Sequence, residues 1–212
     1  MVFLVTGMNS MSVISFQRVN KMKALEDKIL SEGKVLPGNI LKVGGFLNHQ
    51  LDVNFLLEMG KEIAKLFENC GVTKILTIET SGIPIAFAAA ANMNIPVVFA
   101  KKNKTSNVCG DVFSTVVHSY THGTDYTVIV SREYIAEDDK ILIVDDFLAN
   151  GKALLGLIDI VGQAGAEVSG AAIAIEKAFQ HGGDKIRSKG IRVESLAVID
   201  SMSDDGLTFK RS

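Results

Sequence analysis

Two adjacent carboxylates, Asp145 and Asp146, directly follow four aliphatic residues, Ile141-Leu142-Ile143-Val144. After them come Phe147-Leu148-Ala149-Asn150-Gly151-Lys152-Ala153, in which a small residue, an Asn and a Gly lead into a helical pattern. A short aliphatic run of this kind suits a strand buried in a parallel sheet, and ligands of open α/β sheets sit beyond the carboxyl ends of the strands. Ionised carboxylates only accept hydrogen bonds, so a side-by-side pair suits vicinal hydroxyls. Backbone N–H groups at a helix start, approached closely past Gly151, suit a phosphate. Together these parts describe a site for a phosphorylated sugar. An isolated Asp-Asp would mark only a strand ending before a helix cap; the spacing of the Asn and Gly makes the pattern specific. Competing phosphate signatures do not occur, neither GxxxxGK[ST] nor GxGxxG after a strand.

Such a segment needs a sheet with helices on both faces, and the pattern along the chain supplies one. Residues 22–32 place Met22, Leu25, Ile29 and Leu30 on one helical face, with Gly33 as the stop. Val35 to Gln50 reads as turns and short strands. Asp52 is positioned as the N-cap of a second helix carrying Val53, Leu56, Leu57, Ile63, Ala64 and Phe67, closed by Gly71. Residues 74–78 form a buried strand pattern, then Glu79-Thr80-Ser81-Gly82 a loop, then an Ala-rich helix over 83–92. A strand over 95–100 ends in Lys101-Lys102-Asn103-Lys104, and residues 112–120 and 126–132 suit a hairpin. Residues 141–144 are a strand that runs into Asp145-Asp146, with a loop expected after the two acids and a helix over 152–164. Strands over 168–175 and 191–199 complete the set. Repeated βα units with one hairpin predict an α/β fold with a mostly parallel central sheet flanked by helices.

Composition sets the outer bounds. The 212 residues carry 22 Lys plus Arg against 24 Asp plus Glu, a formal net charge of -2. With 47% hydrophobic and 22% charged residues the chain has ordinary globular composition and apolar side chains enough for a core. It lacks the basic field of a non-specific nucleic-acid binder. Two cysteines, Cys70 and Cys109, exclude a disulfide scaffold and a four-cysteine zinc site, and read as reduced thiols of a cytoplasmic protein. The most apolar stretch, 83–100, is broken by Pro84, Asn92, Asn94 and Pro96, so no membrane span is expected. Residues 1–21 precede the first clean amphipathic pattern and are expected to be an N-terminal extension. Their apolar run Val2–Val5 is too short for a secretory signal. His118 and His122 are four apart, but Ser119 stands where HExxH has its acid and the region reads as strand and turn, so no metal is assigned there.

The segment 145–153 resembles the diphosphoribosyl-binding motif of the type I phosphoribosyltransferases, and the resemblance extends over most of 22–212. Within that family the chain is similar to bacterial purine-salvage members that use xanthine. The similarity lies in Leu41-Lys42-Val43 with Phe46-Leu47-Asn48-His49-Gln50, in Thr77-Ile78-Glu79, and in Ile175-Glu176-Lys177. The resemblance implies one domain over 22–212, with 22–51 forming a small N-terminal hood over the base. It implies transfer of 5-phosphoribose from 5-phosphoribosyl 1-diphosphate (PRPP) to xanthine, with Mg²⁺ accompanying PRPP, in a homodimer. By family correspondence Ala149, Asn150, Gly151, Lys152 and Ala153 form the 5'-phosphate loop, and Asp145 and Asp146 lie along the ribose. Thr80 and Ser81 fall in the diphosphate loop, which Lys102 reaches, often across a dimer interface.

Lys177 is expected in the base pocket, because an ammonium donates to a 6-oxygen and would meet the amino group of adenine donor to donor. Asn48 is expected at the 2-position polar group, Leu41 as an apolar wall and Phe147 as a stacking surface. Ala149 stands where related hypoxanthine–guanine enzymes carry a third acid, so no side-chain base is assigned; the acidity of xanthine itself lessens the need for one. Two alternatives stay open at this point: a guanine or hypoxanthine enzyme, and a PRPP-sensing regulator without catalysis. The regulator is disfavoured because 1–21 is too short for a winged helix and 22–32 has no basic recognition face.

Overall fold

A computed structural model describes residues 22–102, 111–119, 124–204 and 206–211. The N-terminal extension 1–21, Lys104, Cys109 and His122 lie outside the described residues.

The chain opens with helix α1 (Lys23–Glu32), followed by the short antiparallel strands β1 (Lys34–Leu36) and β2 (Ile40–Lys42). A five-residue π-type turn, Gly44–Asn48, leads to helix α2 (Val53–Leu66). Asp52 caps α2 as its sequence position predicts, its carboxylate accepting from the Phe55 N–H at 3.1 Å. Strand β3 (Lys74–Ile78), helix α3 (Gly82–Met93) and strand β4 (Val97–Lys102) form the first βαβ unit. The hairpin β5 (Val112–Ser119) and β6 (Thr124–Ser131) follows, and β6 pairs antiparallel with the end of β4. Strand β7 (Lys140–Leu148), helix α4 (Lys152–Gln163), strand β8 (Glu167–Lys177) and helix α5 (Gly182–Arg187) come next. Strands β9 (Val193–Ser203) and β10 (Gly206–Phe209) close the chain as a hairpin.

Eight strands form one sheet in the order β10-β9-β8-β7-β3-β4-β6-β5. The central pairs β9-β8, β8-β7, β7-β3 and β3-β4 are parallel, and the hairpins lie at the two edges. Alternate residues of β7 face opposite ways, as the strand period requires. Leu142 and Val144 join a core with α1, α2 and α3, while Ile141 and Ile143 join a second core with α4 and the hairpin. The sheet is therefore covered on both faces, as the alternation of elements predicts. Gly60 of α2 lets α3 approach so closely that a Cβ there would lie 2.4 Å from the Ala88 carbonyl carbon.

One boundary differs in a way that matters for the site. Strand β7 does not give way to a loop after the two acids but continues to Leu148. The extension is held by β8, with Asp145 opposite Ile173, Phe147 opposite Ile175 and Leu148 opposite Glu176. Both acids therefore sit on a hydrogen-bonded strand rather than a free loop. The edge strand β10 and the short helix α5 are further elements that the sequence pattern did not mark.

Candidate active site

The carboxyl ends of the two central neighbours, β3 and β7, meet the starts of α3 and α4. Asp145 is only 6% exposed, whereas Asp146 is half-buried. Each folds back on the backbone ahead of it: Asp145 accepts from the Asp146 N–H at 2.9 Å, and Asp146 from the Phe147 N–H at 3.0 Å. Burial, and then the neighbouring charge of Asp146, push the Asp145 carboxyl well above the ordinary carboxylate range. The Lys102 ammonium pulls it the other way. This is a strand end loaded with negative charge and ready for a ligand that carries donors or cations.

Beyond Leu148 the chain turns through Ala149-Asn150-Gly151 into α4. Asn150 steers the turn by accepting from the Lys152 N–H at 3.1 Å, an Asx-type contact. Gly151 has φ +83°, a left-handed conformation that glycine adopts without a Cβ penalty. Its carbonyl starts the helix by accepting from the Leu155 N–H at 2.9 Å. Lys152 and Ala153 form the first turn of α4. The residues expected in the phosphate loop are thus consecutive members of one turn at a helix N-terminus, a setting whose dipole favours an anion.

The turn Glu79–Ser81 lies alongside. A Cβ on Gly82 would come within 3.2 Å of an Asp145 carboxylate oxygen, so Thr80 and Ser81 lead directly past the buried acid. Glu79 heads this turn, but its carboxylate is not left free. It accepts from the backbone N–H of Lys102, tying the end of β3 to the end of β4. The Lys102 ammonium stands 5.5 Å from the centre of the Tyr126 ring. Tyr126, on β6, has its phenol pushed up by burial and then by the charge of Asp145.

On the other side of β7 the strand β8 ends at Lys177. Its ammonium donates to the Asn39 carbonyl at 2.8 Å and lies 5.4 Å from the centre of the Phe147 ring. Partial burial holds the Lys177 pKa below its ordinary value. Asn39 belongs to the β1–β2 turn with φ +60°, so this contact fastens the N-terminal hairpin over the end of the sheet. Asn48 is exposed at the end of the π-type turn. Leu41, expected as an apolar wall of the base pocket, is 6% exposed and packed in the core shared with α1, α2 and β9. Phe147 is half-buried, part core and part surface.

Three participants escaped sequence reasoning: Asn39, Tyr126 and the Gly182-Gly183 pair. Asn39 contributes a backbone atom and Tyr126 sits in a regular strand alternation, so neither left a signal. The doubled glycine was a visible one. A Cβ on Gly182 would lie 2.2 Å from the Ala149 carbonyl oxygen and 2.6 Å from the Gly151 nitrogen, so it backs the 149–151 turn directly. Among the described residues no group of three or more His, Cys, Asp or Glu is gathered to hold a metal ion, and no helix is long and apolar enough to cross a membrane.

Comparison with known proteins agrees with this geometry. The phosphoribosyl transferase domain model matches residues 50–208. A xanthine phosphoribosyltransferase of Lachnoclostridium phytofermentans is 54% identical over 191 residues, covering 90% of this chain and 98% of that protein. One from Limosilactobacillus reuteri is 50% identical over 188 residues, covering 89% and 98%. Among solved structures, adenine phosphoribosyltransferase from Trypanosoma brucei superposes with a TM-score of 0.68 at 16% identity, covering 82% of this chain and 78% of that one. The Rhodothermus marinus adenine phosphoribosyltransferase gives 0.66 at 21% identity, covering 83% and 98%. At such identities these structures speak for the fold, and the sequence relatives speak for the branch. With the acid pair on β7, the glycine turn entering α4 and a basic residue closing each flank, the chain belongs to the phosphoribosyltransferase family, among the xanthine phosphoribosyltransferases.

Proposed function

We propose that the protein transfers 5-phosphoribose from PRPP to xanthine, giving xanthosine 5'-monophosphate and diphosphate in purine salvage. The observation that carries this reading is the placement of the Asp145–Asp146 strand end between the 149–153 turn and the Lys177–Phe147 pair. A ligand lying across the strand end would meet phosphate donors on one side and a base pocket on the other.

The 5'-phosphate sits on Ala149–Ala153, where helix-start N–H groups favour an anion. Asp145 and Asp146 accept from the ribose hydroxyls. The diphosphate lies along Thr80 and Ser81 with Lys102 as its cation. Magnesium arrives with PRPP, as part of the substrate. Xanthine stacks on Phe147, its 6-oxygen accepting from Lys177 and its 2-position facing Asn48. The bond from the ribose anomeric carbon to diphosphate breaks with its electron pair leaving on oxygen, and a purine nitrogen supplies the new bond. The ribose passes through a cation-like state, and fixed carboxylates beside it stabilise the developing positive charge. No side-chain base is needed if xanthine reacts as its anion, and Ala149 supplies none. A homodimer in the cytoplasm is the working form, and Phe87 and Phe99, 67% and 42% exposed on α3 and β4, are apolar side chains available to a second copy.

The test is to incubate the protein with magnesium, PRPP and each of xanthine, guanine, hypoxanthine and adenine, and to measure released diphosphate. Fastest turnover is expected with xanthine. No turnover with any base removes the enzyme reading, and faster turnover with guanine overturns the choice of base.

A further inference from the structure

Behind the phosphate turn lies an ion pair that the reaction itself does not use. Glu176, the penultimate residue of β8, is 2% exposed. Its two carboxylate oxygens accept from the Arg187 guanidinium at 2.8 and 2.7 Å, and the Ser195 hydroxyl on β9 donates to it as well. Arg187 is the last residue of α5 and also donates to the Val193 carbonyl at 3.3 Å. A forked, charge-assisted pair of this kind fixes orientation as well as distance. Breaking one partner of a buried pair leaves the other charge unpaired.

The pair is packed against the backbone that supports the phosphate turn. A Cβ on Gly183 would lie 2.0 Å from a Glu176 carboxylate oxygen and 2.5 Å from an Arg187 guanidinium nitrogen. Its neighbour Gly182 donates from its N–H to the Ala149 carbonyl at 3.1 Å. A Cβ on Gly151 would in turn lie 3.2 Å from the Gly182 carbonyl oxygen. Contact therefore runs without a gap from Ser195 and Glu176 through Arg187 and Gly183 to Gly182 and the turn at 149–151. That turn is the one to which the proposed function assigns the 5'-phosphate.

We infer that the Glu176–Arg187 pair is a positioning element for the 149–153 turn, setting where its N–H groups point and so the affinity for the phosphate end of PRPP. Neither residue touches substrate; they act through Gly182. Lys177, one residue beyond Glu176, holds its own contacts to Asn39 and Phe147 on the other side of the strand. Loss of Arg187 therefore weakens PRPP use selectively, while base use is spared.

The inference rests on the transfer reaction for its kinetic readout, so a second readout is independent of it. Steady-state kinetics of Arg187→Ala are expected to show KM for PRPP raised about tenfold or more, with KM for xanthine within about twofold, since a small misplacement of binding groups is enough for such an effect. Added methylguanidinium should restore PRPP use, because the Arg187 side chain is 39% exposed and leaves a slot open to solvent. Arg187→Lys keeps the charge without the fork and should show a smaller rise of the same selectivity; it serves if the alanine variant does not fold. Amide exchange supplies the other readout: protection of the Gly182 and Leu155 N–H groups, which donate to the Ala149 and Gly151 carbonyls, should fall in either variant while that of Ile83 at the start of α3 is unchanged. Parallel rises in both KM values, or a KM for PRPP within twofold of wild type, would overturn the inference. So would unchanged exchange at Gly182 and Leu155, whether or not the protein turns over xanthine. A wild type without any turnover, but with the exchange effect present, would overturn the transfer reading alone.

Discussion

Replacing Lys177 with methionine separates the two ends of the proposed site. In the free protein the ammonium contributes a hydrogen bond to the Asn39 carbonyl at 2.8 Å and stands 5.4 Å from the Phe147 ring. A hydrogen bond from a charged group is worth about 1.5–3 kcal/mol and a cation–π contact about 0.5–2 kcal/mol. Desolvation opposes both, as the lowered pKa of Lys177 shows. A lysine whose folded pKa is depressed stabilises the fold fully only above its ordinary value of 10.5, and that stability is lost as pH falls through the folded value. At neutral pH the gains and the desolvation cost largely offset, so Lys177→Met should shift the melting temperature by only about 2–4 °C, the equivalent of about 1 kcal/mol in a chain of this size. With xanthine bound, the charged donor to the 6-oxygen has no replacement in methionine. Losing about 1.5–3 kcal/mol there lowers kcat/KM for xanthine by about 10- to 150-fold. The KM for PRPP should stay within about twofold, because the 149–153 turn does not depend on this side chain. Initial rates with each substrate varied in turn, alongside a thermal melt, measure all of this. A kcat/KM for xanthine within threefold of wild type, or a parallel rise in the KM for PRPP, would refute the assignment of Lys177 to the base.

Two further outcomes follow from the same geometry. Asp145→Asn should lower turnover by about 100-fold or more, as loss of fixed transition-state electrostatics does, yet raise the melting temperature, because burial and Asp146 make ionised Asp145 costly. An acid with a raised folded pKa stabilises the fold fully below its ordinary value of 3.8 and loses that contribution as pH rises through the folded value. The advantage of the variant in thermal melts should therefore grow with pH, and a variant that melts below wild type at pH 8 would contradict this. Gly60→Ala, whose Cβ would press within 2.4 Å of the Ala88 backbone, should cost about 1–3 kcal/mol in denaturant unfolding. The KM for both substrates should be unchanged, and a substrate effect would mean that α2 and α3 carry strain to the site.

Much of this arrangement was legible because its signals are local. Asp52 announces a helix start through its own short side chain, and the Ala149–Asn150–Gly151 turn is written in three consecutive residues. Other features are settled by partners distant in the sequence. Phe147 and Leu148 read as the start of a loop until β8 is placed beside them, since strand length depends on the neighbour as much as on propensity. Leu41 is apolar in either role, and only the packing of α1 and β9 decides that it is core. The role of the Glu79 carboxylate is not legible in sequence because the group that donates to it is a backbone N–H on the next strand. Arg187 offered nothing to mark it, being one basic residue at the end of a short helix, with its partner in another element.

The pairing of β3 with β7 joins residues 74–76 to residues 141–143 in the middle of the sheet. Every proposed PRPP contact lies just beyond that junction, so a chain that has not yet closed it holds only separate fragments of the site. Parallel pairings of such long sequence separation form slowly, because loop entropy is lost before contacts compensate. PRPP would thus bind the finished fold and neither the unfolded chain nor an early intermediate. By mass action, the co-substrate at about 100 times its Kd adds about 2.7 kcal/mol to the stability of the native state. Cellular PRPP supply would then govern the lifetime of the folded protein as well as its rate of turnover.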